Sequence, residues 1–229
     1  LRWGQGLQVD LLKLLEVTEP QIPSNYVKSD KLQKVSVGFK GLVIGYERDL
    51  NEPFTLNFPQ NGIITVIGES GVGKTTFIDT LIGLLPSRAG NIVLSASEYS
   101  TAEWWKYIAF MDQKSGLMHG EIKRSLTYNQ ETQINYHRLS YLLEMLGLND
   151  IDTSKSSKTN LSGGEIQRVA IVRTLLADKK ILILDEPTSA LDSENEAKVV
   201  NIFKKYAESH LIIVISHSRR IIEASNGII

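Results

Sequence analysis

The chain has 229 residues, of which 42% are hydrophobic and 22% charged, and its net charge is −1. This balance excludes collagen-like and low-complexity sequence, and because no overall basic field would attract nucleic acid, no nucleic-acid partner is expected. The absence of cysteine excludes a disulfide scaffold and thiolate metal sites. The longest apolar runs, such as Leu211–Ile215, are far shorter than the roughly 20 residues that span a bilayer.

The first 34 residues have a different pattern from the rest. Leucines between Leu7 and Leu15 recur at helical spacing and predict an amphipathic helix. Pro20 and Pro23 then predict that the helix ends and an extended linker follows. Because the sequence begins with Leu1 rather than methionine, we expect it to be part of a longer chain.

Short apolar runs alternate with helical patterns over the remaining residues. Strands are predicted at residues 35–40, 41–46, 54–58, 63–67, 180–184 and 211–215, with a turn between the first two. Helices are predicted at residues 74–85 and 194–208, and an all-helical insert at about 115–160. Alternating strands and helices predict an α/β fold with a mostly parallel, doubly wound sheet.

A glycine-rich loop follows the strand predicted at residues 63–67 and matches the pattern G-x-x-x-x-G-K-[ST] in full. Its glycines let main-chain N–H groups approach phosphates at the start of a helix, where the helix dipole favours an anion. The Lys74 ammonium suits the β- and γ-phosphates, and the Thr75 hydroxyl suits Mg²⁺. The loop therefore predicts nucleoside triphosphate binding by Gly68, Glu69, Ser70, Gly71, Val72, Gly73, Lys74, Thr75 and Thr76.

Two acids end the buried strand at residues 180–184. A carboxylate at the end of a parallel strand faces the crevice in which such folds bind ligands, so Asp185 is a candidate Mg²⁺ ligand. Glu186 is one residue further on and is a candidate for orienting or deprotonating the attacking water. The alternative is a pair of acids stabilised by the dipole of a helix that starts near Pro187.

Leu161–Arg168 reads Leu-Ser-Gly-Gly-Glu-Ile-Gln-Arg and stands shortly before that strand. It closely resembles the LSGGQ signature of ABC-type ATPases, with Glu165 in place of the final glutamine. Ser162, Gly163 and Gly164 offer a hydroxyl and bare N–H groups at a helix start, which makes a second anion cradle. The alternative reading, a helix cap with Glu165 as the capping-box partner of Ser162, is compatible with this role.

The resemblance assigns further residues in the expected order. Gln113 matches the Q-loop glutamine that contacts Mg²⁺, residues 189–192 match the D-loop, and His217 matches the switch histidine that contacts the γ-phosphate. Tyr46 is favoured over Phe39 as the aromatic side chain that stacks on adenine.

The resemblance also implies a chemistry. ATP and Mg²⁺ are the expected cofactors, with Thr75, Gln113 and Asp185 at the metal. The expected catalytic residues are Glu186, His217 and Lys74. Each of these positions carries the residue type that the resemblance requires, which predicts a competent ATPase.

The implied architecture is a P-loop NTPase fold with an antiparallel β subdomain and a helical subdomain at about residues 115–165, within an ABC ATPase domain at 35–229. The implied partners are a second ABC ATPase domain, bound head-to-tail so that each signature closes over the partner's γ-phosphate, and a transmembrane domain. ATP-driven dimerisation would then power transport from the cytoplasmic face of a membrane.

The N-terminal segment, residues 1–34, resembles the link from a preceding transmembrane domain, and Leu117 to Tyr128 resembles an exporter loop; both indicate an exporter. Residues 152–160 lack the acidic glycine-containing motif that exporters usually carry. The alternatives are a separate ATPase subunit of an importer and a soluble ABC ATPase. Trp104 and Trp105 are predicted to pack against the helical subdomain.

Overall fold

The computed structural model describes residues 37–94, 97–98, 104–114, 116–117, 122–127, 135–152, 154 and 161–229. The helix and linker predicted at residues 1–34 lie outside these residues. The described part of the chain folds into two β-sheets with packed helices, which confirms the predicted α/β P-loop fold.

The smaller sheet is antiparallel and has the strand order β2-β1-β4-β5. Its strands are β1 Val37–Val43, β2 Phe54–Asn57, β4 Ala89–Leu94 and β5 Ser97–Glu98. The prediction of two strands joined by a turn at residues 35–46 is wrong, because β1 continues through this region. A register shift near Gly41 appears against both neighbouring strands, so a β-bulge occupies the predicted turn.

The larger sheet is parallel throughout and has the order β6-β7-β8-β3-β9. Its strands are β3 Gly62–Val66, β6 Ile108–Met111, β7 Ile181–Asp185, β8 Leu211–Ile215 and β9 Gly227–Ile228. On β8, Ile215 is level with Val66 on one side and with Asp185 on the other. The carboxyl ends of β3, β8 and β7 therefore meet at one edge of the sheet, where open α/β sheets bind ligands.

Six helices complete the described part of the chain. They are α1 Lys74–Leu81, α2 Ile122–Thr127, α3 Tyr136–Met145, α4 Gly163–Leu176, α5 Ser193–Ala207 and α6 Arg219–Ala224. Helices α2 and α3 lie within the predicted helical insert, and both pack against α4. Helix α1 ends four residues earlier than predicted, where the N–H groups of Leu84 and Leu85 turn back to bond the Asp79 carbonyl.

The parallel sheet is buried on both faces. Leu182 and Leu184 of β7 belong to the apolar cluster that includes α4 and α5 on one face of the sheet. Ile181 and Ile183 belong to the cluster that includes α1 and the antiparallel sheet on the other face. This alternation explains why β7 and β8 are continuous apolar runs rather than alternating polar and apolar residues.

The prediction that Trp104 and Trp105 pack against the helical subdomain is wrong for the part of that subdomain that the structure describes. Trp104 is buried in the cluster shared by α1 and the antiparallel sheet, and its Nε1 donates a hydrogen bond to the Leu81 carbonyl (2.5 Å). Trp105 Nε1 donates to the Ile82 carbonyl (2.6 Å). The end of a helix exposes carbonyl groups that lack partners within the helix, and the two indoles satisfy two of these at the end of α1.

Phe39 is the aromatic centre of the layer between the two sheets. It is 1% exposed and makes edge-to-face contacts with Phe54, Phe58 and Phe77 at centroid distances of 5.2–5.6 Å. We therefore expect Phe39→Ala to lower the free energy of unfolding by about 3–5 kcal/mol in urea titrations. Tyr46→Ala, at a position 62% exposed, is the control, with an expected change below about 1 kcal/mol. Equal losses in the two variants would contradict this assignment of the core.

Candidate functional site

A cavity of about 410 Å³ opens at the carboxyl ends of β3, β7 and β8. It brings together residues that are separated by more than a hundred positions in sequence. The lining residues are Ser70, Gly71, Gly73, Lys74, Thr75, Thr76, Gln113, Asp185, Glu186, Ile215 and His217. All of them except Ile215 belong to the predicted site.

The glycine loop between β3 and α1 forms one wall of the cavity. Gly73 is the N-cap of α1 and has a φ of 109°, a left-handed conformation in which a side chain would be strained. No side chain caps α1, so the N–H groups of its first turn remain available to an anion. Within the same loop, Lys74 Nζ donates hydrogen bonds to the carbonyls of Gly68 (2.5 Å) and Glu69 (2.9 Å). The loop thus holds the Lys74 ammonium group beside its own main-chain N–H donors.

Asp185 ends β7 at the floor of the cavity and is 8% exposed. Burial raises the pKa of its carboxyl to about 6, and the negative charges of Asp112, Glu186 and Asp79 act in the same direction, while Lys74 opposes them. A buried carboxylate whose charge is destabilised by neighbouring acids is a favourable place for a cation.

The residues around Asp185 fit a hard divalent cation. Thr75 contributes a hydroxyl, Gln113 an amide and Asp185 a carboxyl group to the same cavity. Among the described residues, no group of three or more His, Cys, Asp or Glu side chains is arranged to hold a metal ion. One carboxylate with neutral oxygen donors is typical of Mg²⁺, which completes its coordination with water and phosphate oxygens.

Glu186 follows Asp185 in an uncommon backbone conformation, with a φ of 47°. Its N–H donates to the Ile215 carbonyl (2.9 Å), which fixes the turn to the end of β8. His217 lies just beyond β8, and its Nε2 is 3.8 Å from Glu186 Oε1. The structure therefore places the predicted glutamate and histidine side by side at the cavity wall.

The predicted signature residues lie elsewhere. Ser162, Gly163 and Gly164 do not line this cavity but form the start of α4. Ser162 and Glu165 form a full capping box, in which Glu165 Oε2 accepts hydrogen bonds from the Ser162 N–H (2.7 Å) and hydroxyl (2.8 Å). These two hydrogen bonds also hold the pKa of the Glu165 carboxyl below its usual value. The start of α4 is therefore a second helix N-terminus, separate from the cavity, at which the N–H groups of Ser162 and Glu165 are bonded within the capping box.

The two candidate aromatic residues have different environments. Phe39 is enclosed in the core, so its faces are not accessible to a base. Tyr46 is exposed, and its hydroxyl donates to Asp79 Oδ2 of α1 (3.1 Å), which also raises the pKa of the Tyr46 hydroxyl. Of these two candidates, Tyr46 is thus the accessible one, and it lies next to the helix of the phosphate loop.

Three residues with contacts at the site were missed from the sequence. The negative charges of Asp79 and Asp112 act on the Asp185 carboxyl group. The Gln167 side chain donates a hydrogen bond to the turn that begins at Glu186. Gln167 lies within the signature run, but a motif does not reveal which distant backbone groups its side chains contact.

Comparison with known proteins identifies the family. The family model described as "ABC transporter" matches residues 52–189. A protein of Haemophilus influenzae, described as an uncharacterized ABC transporter ATP-binding protein, is 31% identical over 189 residues, which cover 77% of this chain and 72% of that protein. The chain belongs to the ABC transporter family and is one of its ATP-binding domains, which are ATPases.

Two other relatives are much longer. A Rickettsia prowazekii protein described as an export ATP-binding/permease protein is 28% identical over 224 residues, covering 91% of this chain and 39% of that protein. The alpha-factor-transporting ATPase of Saccharomyces cerevisiae is 36% identical over 174 residues, which cover 71% of this chain and 13% of that protein. The chain thus spans about two fifths of the Rickettsia relative and about an eighth of the yeast one.

A solved structure agrees with the fold. The structure of a bacterial Atm1-family ABC exporter with ATP bound superposes with a TM-score of 0.79 at 23% identity, covering 96% of this chain and 41% of that one. Across the described ranges, no helix combines the length and the apolar character needed to cross a bilayer.

The raised pKa of Asp185 gives a pH-dependent prediction. Because the folded pKa of about 6 exceeds the ordinary value of 3.8, ionisation of Asp185 destabilises the folded chain as pH rises through 6. Asp185→Asn should therefore raise the free energy of unfolding by about 1–3 kcal/mol at pH 7.5 in EDTA, and the gain should disappear towards pH 4. Urea titrations across this range measure it, with the exposed Asp150→Asn as control. A gain that does not vary with pH would contradict the prediction.

Proposed function

We propose that the chain is the ATP-hydrolysing motor domain of an ABC exporter, that it acts as a head-to-tail dimer, and that it drives a transmembrane domain. The observation that carries the proposal is the cavity shared by Lys74, Asp185 and Glu186, with the signature at a separate surface. One half of a composite ATP site lies in the cavity, and the other half lies at the start of α4.

ATP would bind with its phosphates in the loop between β3 and α1. The N–H groups of this loop and of the first turn of α1 would hold the phosphate oxygens, while Lys74 exchanges its carbonyl contacts for the β- and γ-phosphates. Tyr46 supplies the exposed ring on which adenine would stack. Thr75, Gln113 and Asp185 would hold Mg²⁺, which neutralises phosphate charge when bound.

Hydrolysis would use Glu186 and His217. Glu186 would accept a proton from the attacking water while the water oxygen bonds to the γ-phosphorus. The bond between the γ-phosphorus and the oxygen that bridges it to the β-phosphate would break, which yields ADP and phosphate. Lys74 and His217 would stabilise the charge on the transferring group. The cavity position of both side chains and their 3.8 Å separation support these roles.

The separation of the cavity from the start of α4 supports the proposed dimer. Ser162 and Gly163 are exposed and lie outside the cavity, so they would contact nucleotide bound by another copy rather than by their own. A head-to-tail pair would then enclose two ATP molecules between a phosphate loop and a partner signature. Their hydrolysis would reopen the pair and move the attached membrane domain as a rigid body.

An apolar groove supports attachment to a transmembrane domain. The groove has a volume of about 260 Å³ and is formed by the end of α1 and the start of β6, with Ile82, Leu84, Trp105, Ile108 and Phe110 at its surface. Leu84 is 65% exposed and Trp105 is 52% exposed, so the groove presents adjoining apolar side chains at the surface. We assign the groove to cytoplasmic helices of the membrane domain, because the relatives described as ATP-binding/permease proteins extend well beyond this chain. This assignment places the chain at the cytoplasmic face of a membrane.

The proposed base is tested by Glu186→Gln. The variant keeps the shape of the side chain but removes its ability to take a proton, so we expect ATP affinity within about threefold of the original and a loss of turnover of about 10²–10³-fold. ATP-bound dimers should accumulate in size-exclusion chromatography. Lys74→Ala is the contrasting variant and should lose nucleotide affinity itself. Near-normal hydrolysis by Glu186→Gln would remove Glu186 from the mechanism.

The proposed membrane contact is tested by hydrogen exchange. If the groove binds the membrane domain, amides of residues 82–85 and 105–110 should exchange more slowly in the complete membrane-embedded protein than in the 229-residue chain. Leu84→Gln should reduce this protection and leave the ATP affinity of the 229-residue chain unchanged. Ile228→Gln, at an exposed apolar position of the edge strand β9, is the matched control. Equal exchange with and without the membrane domain would exclude the groove as the contact.

A further inference from the structure

Gln167 connects helix α4 to the turn that carries Glu186. Its side chain is 7% exposed and points from α4 into the segment between β7 and α5. Nε2 donates hydrogen bonds to the Glu186 carbonyl (2.9 Å) and to Ser189 Oγ (3.2 Å), and Oε1 accepts one from the Ala190 N–H (2.8 Å). One amide thus bonds both ends of the five-residue turn from 186 to 190.

This turn has a backbone that needs such support. Glu186 adopts a φ of 47°, a backbone conformation that costs free energy for any residue other than glycine. Its N–H is fixed by β8 through the Ile215 carbonyl, whereas its carbonyl accepts from Gln167 and from Ser189. The direction of the Glu186 side chain therefore depends on two anchors, one from the sheet and one from α4.

The other end of the turn also packs closely on α4. A Cβ built on Gly164 would lie 3.1 Å from the Ala190 carbonyl oxygen, so a side chain at this position would require the turn to move by a few tenths of an ångström. Gly164 is one of the predicted signature residues, and Gln167 is three positions further along the same helix. The surface that would bind a partner's nucleotide and the anchor of Glu186 thus belong to one rigid element.

We propose that Gln167 is a positioning residue for ATP hydrolysis, which holds Glu186 in its reactive direction and links that direction to the placement of the signature helix. The inference rests on the proposed role of Glu186. Gln167 touches neither the cavity nor the nucleotide expected there, so it would act on turnover rather than on ATP binding.

The test is Gln167→Met in the complete protein. Methionine keeps the length and volume of the side chain and removes all three hydrogen bonds. We expect kcat for ATP hydrolysis to fall roughly 10- to 100-fold, since small displacements of a catalytic group have effects of this size, with KM for ATP within about threefold. Thr174→Val is the control and should keep kcat, because the Thr174 hydroxyl is buried on α4 and, among the described residues, bonds only the Ala170 carbonyl of its own helix.

A double variant separates positioning from general loss of structure. If Gln167 acts through Glu186, adding Gln167→Met to Glu186→Gln should change the residual single-turnover rate by less than about twofold. If Gln167→Met folds poorly, Ser189→Ala, which removes an exposed donor to the same carbonyl, should lower kcat by roughly two- to fivefold at unchanged KM. An unchanged kcat in Gln167→Met, or a loss that adds fully to that of Glu186→Gln, would overturn the inference. Normal turnover by Glu186→Gln alone would instead overturn the proposed function of Glu186.

Discussion

The site depends on the parallel pairing of β3, β8 and β7. Ile215 of β8 is in register with Val66 and Asp185, so the glycine loop, the acidic pair and the segment that carries His217 all leave the sheet at the same level. A register slip of one residue in any of these strands would exchange its buried faces and turn the following side chain away from the cavity. The apolar packing on both faces of the sheet makes such a slip costly, and the same packing therefore fixes the chemistry.

Charge gives the site its second constraint. Asp185 is buried among acids, and within the cavity only Lys74 lowers its pKa. The folded chain thus carries an excess of negative charge at the place where, under the proposed function, a triphosphate would also bind. A divalent cation would resolve this conflict because it would neutralise both the carboxylates and the phosphate oxygens. Affinity for nucleotide and affinity for the metal would then be coupled through the same buried group.

Much of this arrangement could be predicted from the sequence, because its signals are local. Strands such as β7 and β8 are uninterrupted apolar runs, and the glycine loop needs its residue types at fixed spacing for the backbone to fold around an anion. The bulge in β1 could not be predicted from a Gly41 that also suits a turn, since the choice depends on pairing with both neighbouring strands. Trp104 bonds the end of α1, which lies 23 residues earlier, and no periodicity encodes that contact. The accessible position of Tyr46 and the enclosure of Phe39 likewise depend on tertiary packing.

The two helix N-termini of the proposed composite site reach the same chemical result by different means. At α1, no side chain occupies the cap, and glycine at the N-cap leaves the first N–H groups open. At α4, the capping box uses the N–H groups of Ser162 and Glu165, and the Ser162 hydroxyl donates to the Glu165 carboxylate. Within the described residues, the N–H groups of Gly163 and Gly164 have no such side-chain acceptor, so in the proposed composite site they would be the donors to a phosphate. Glu165 would then order the start of the helix through the capping box, and the two glycines would contact the anion.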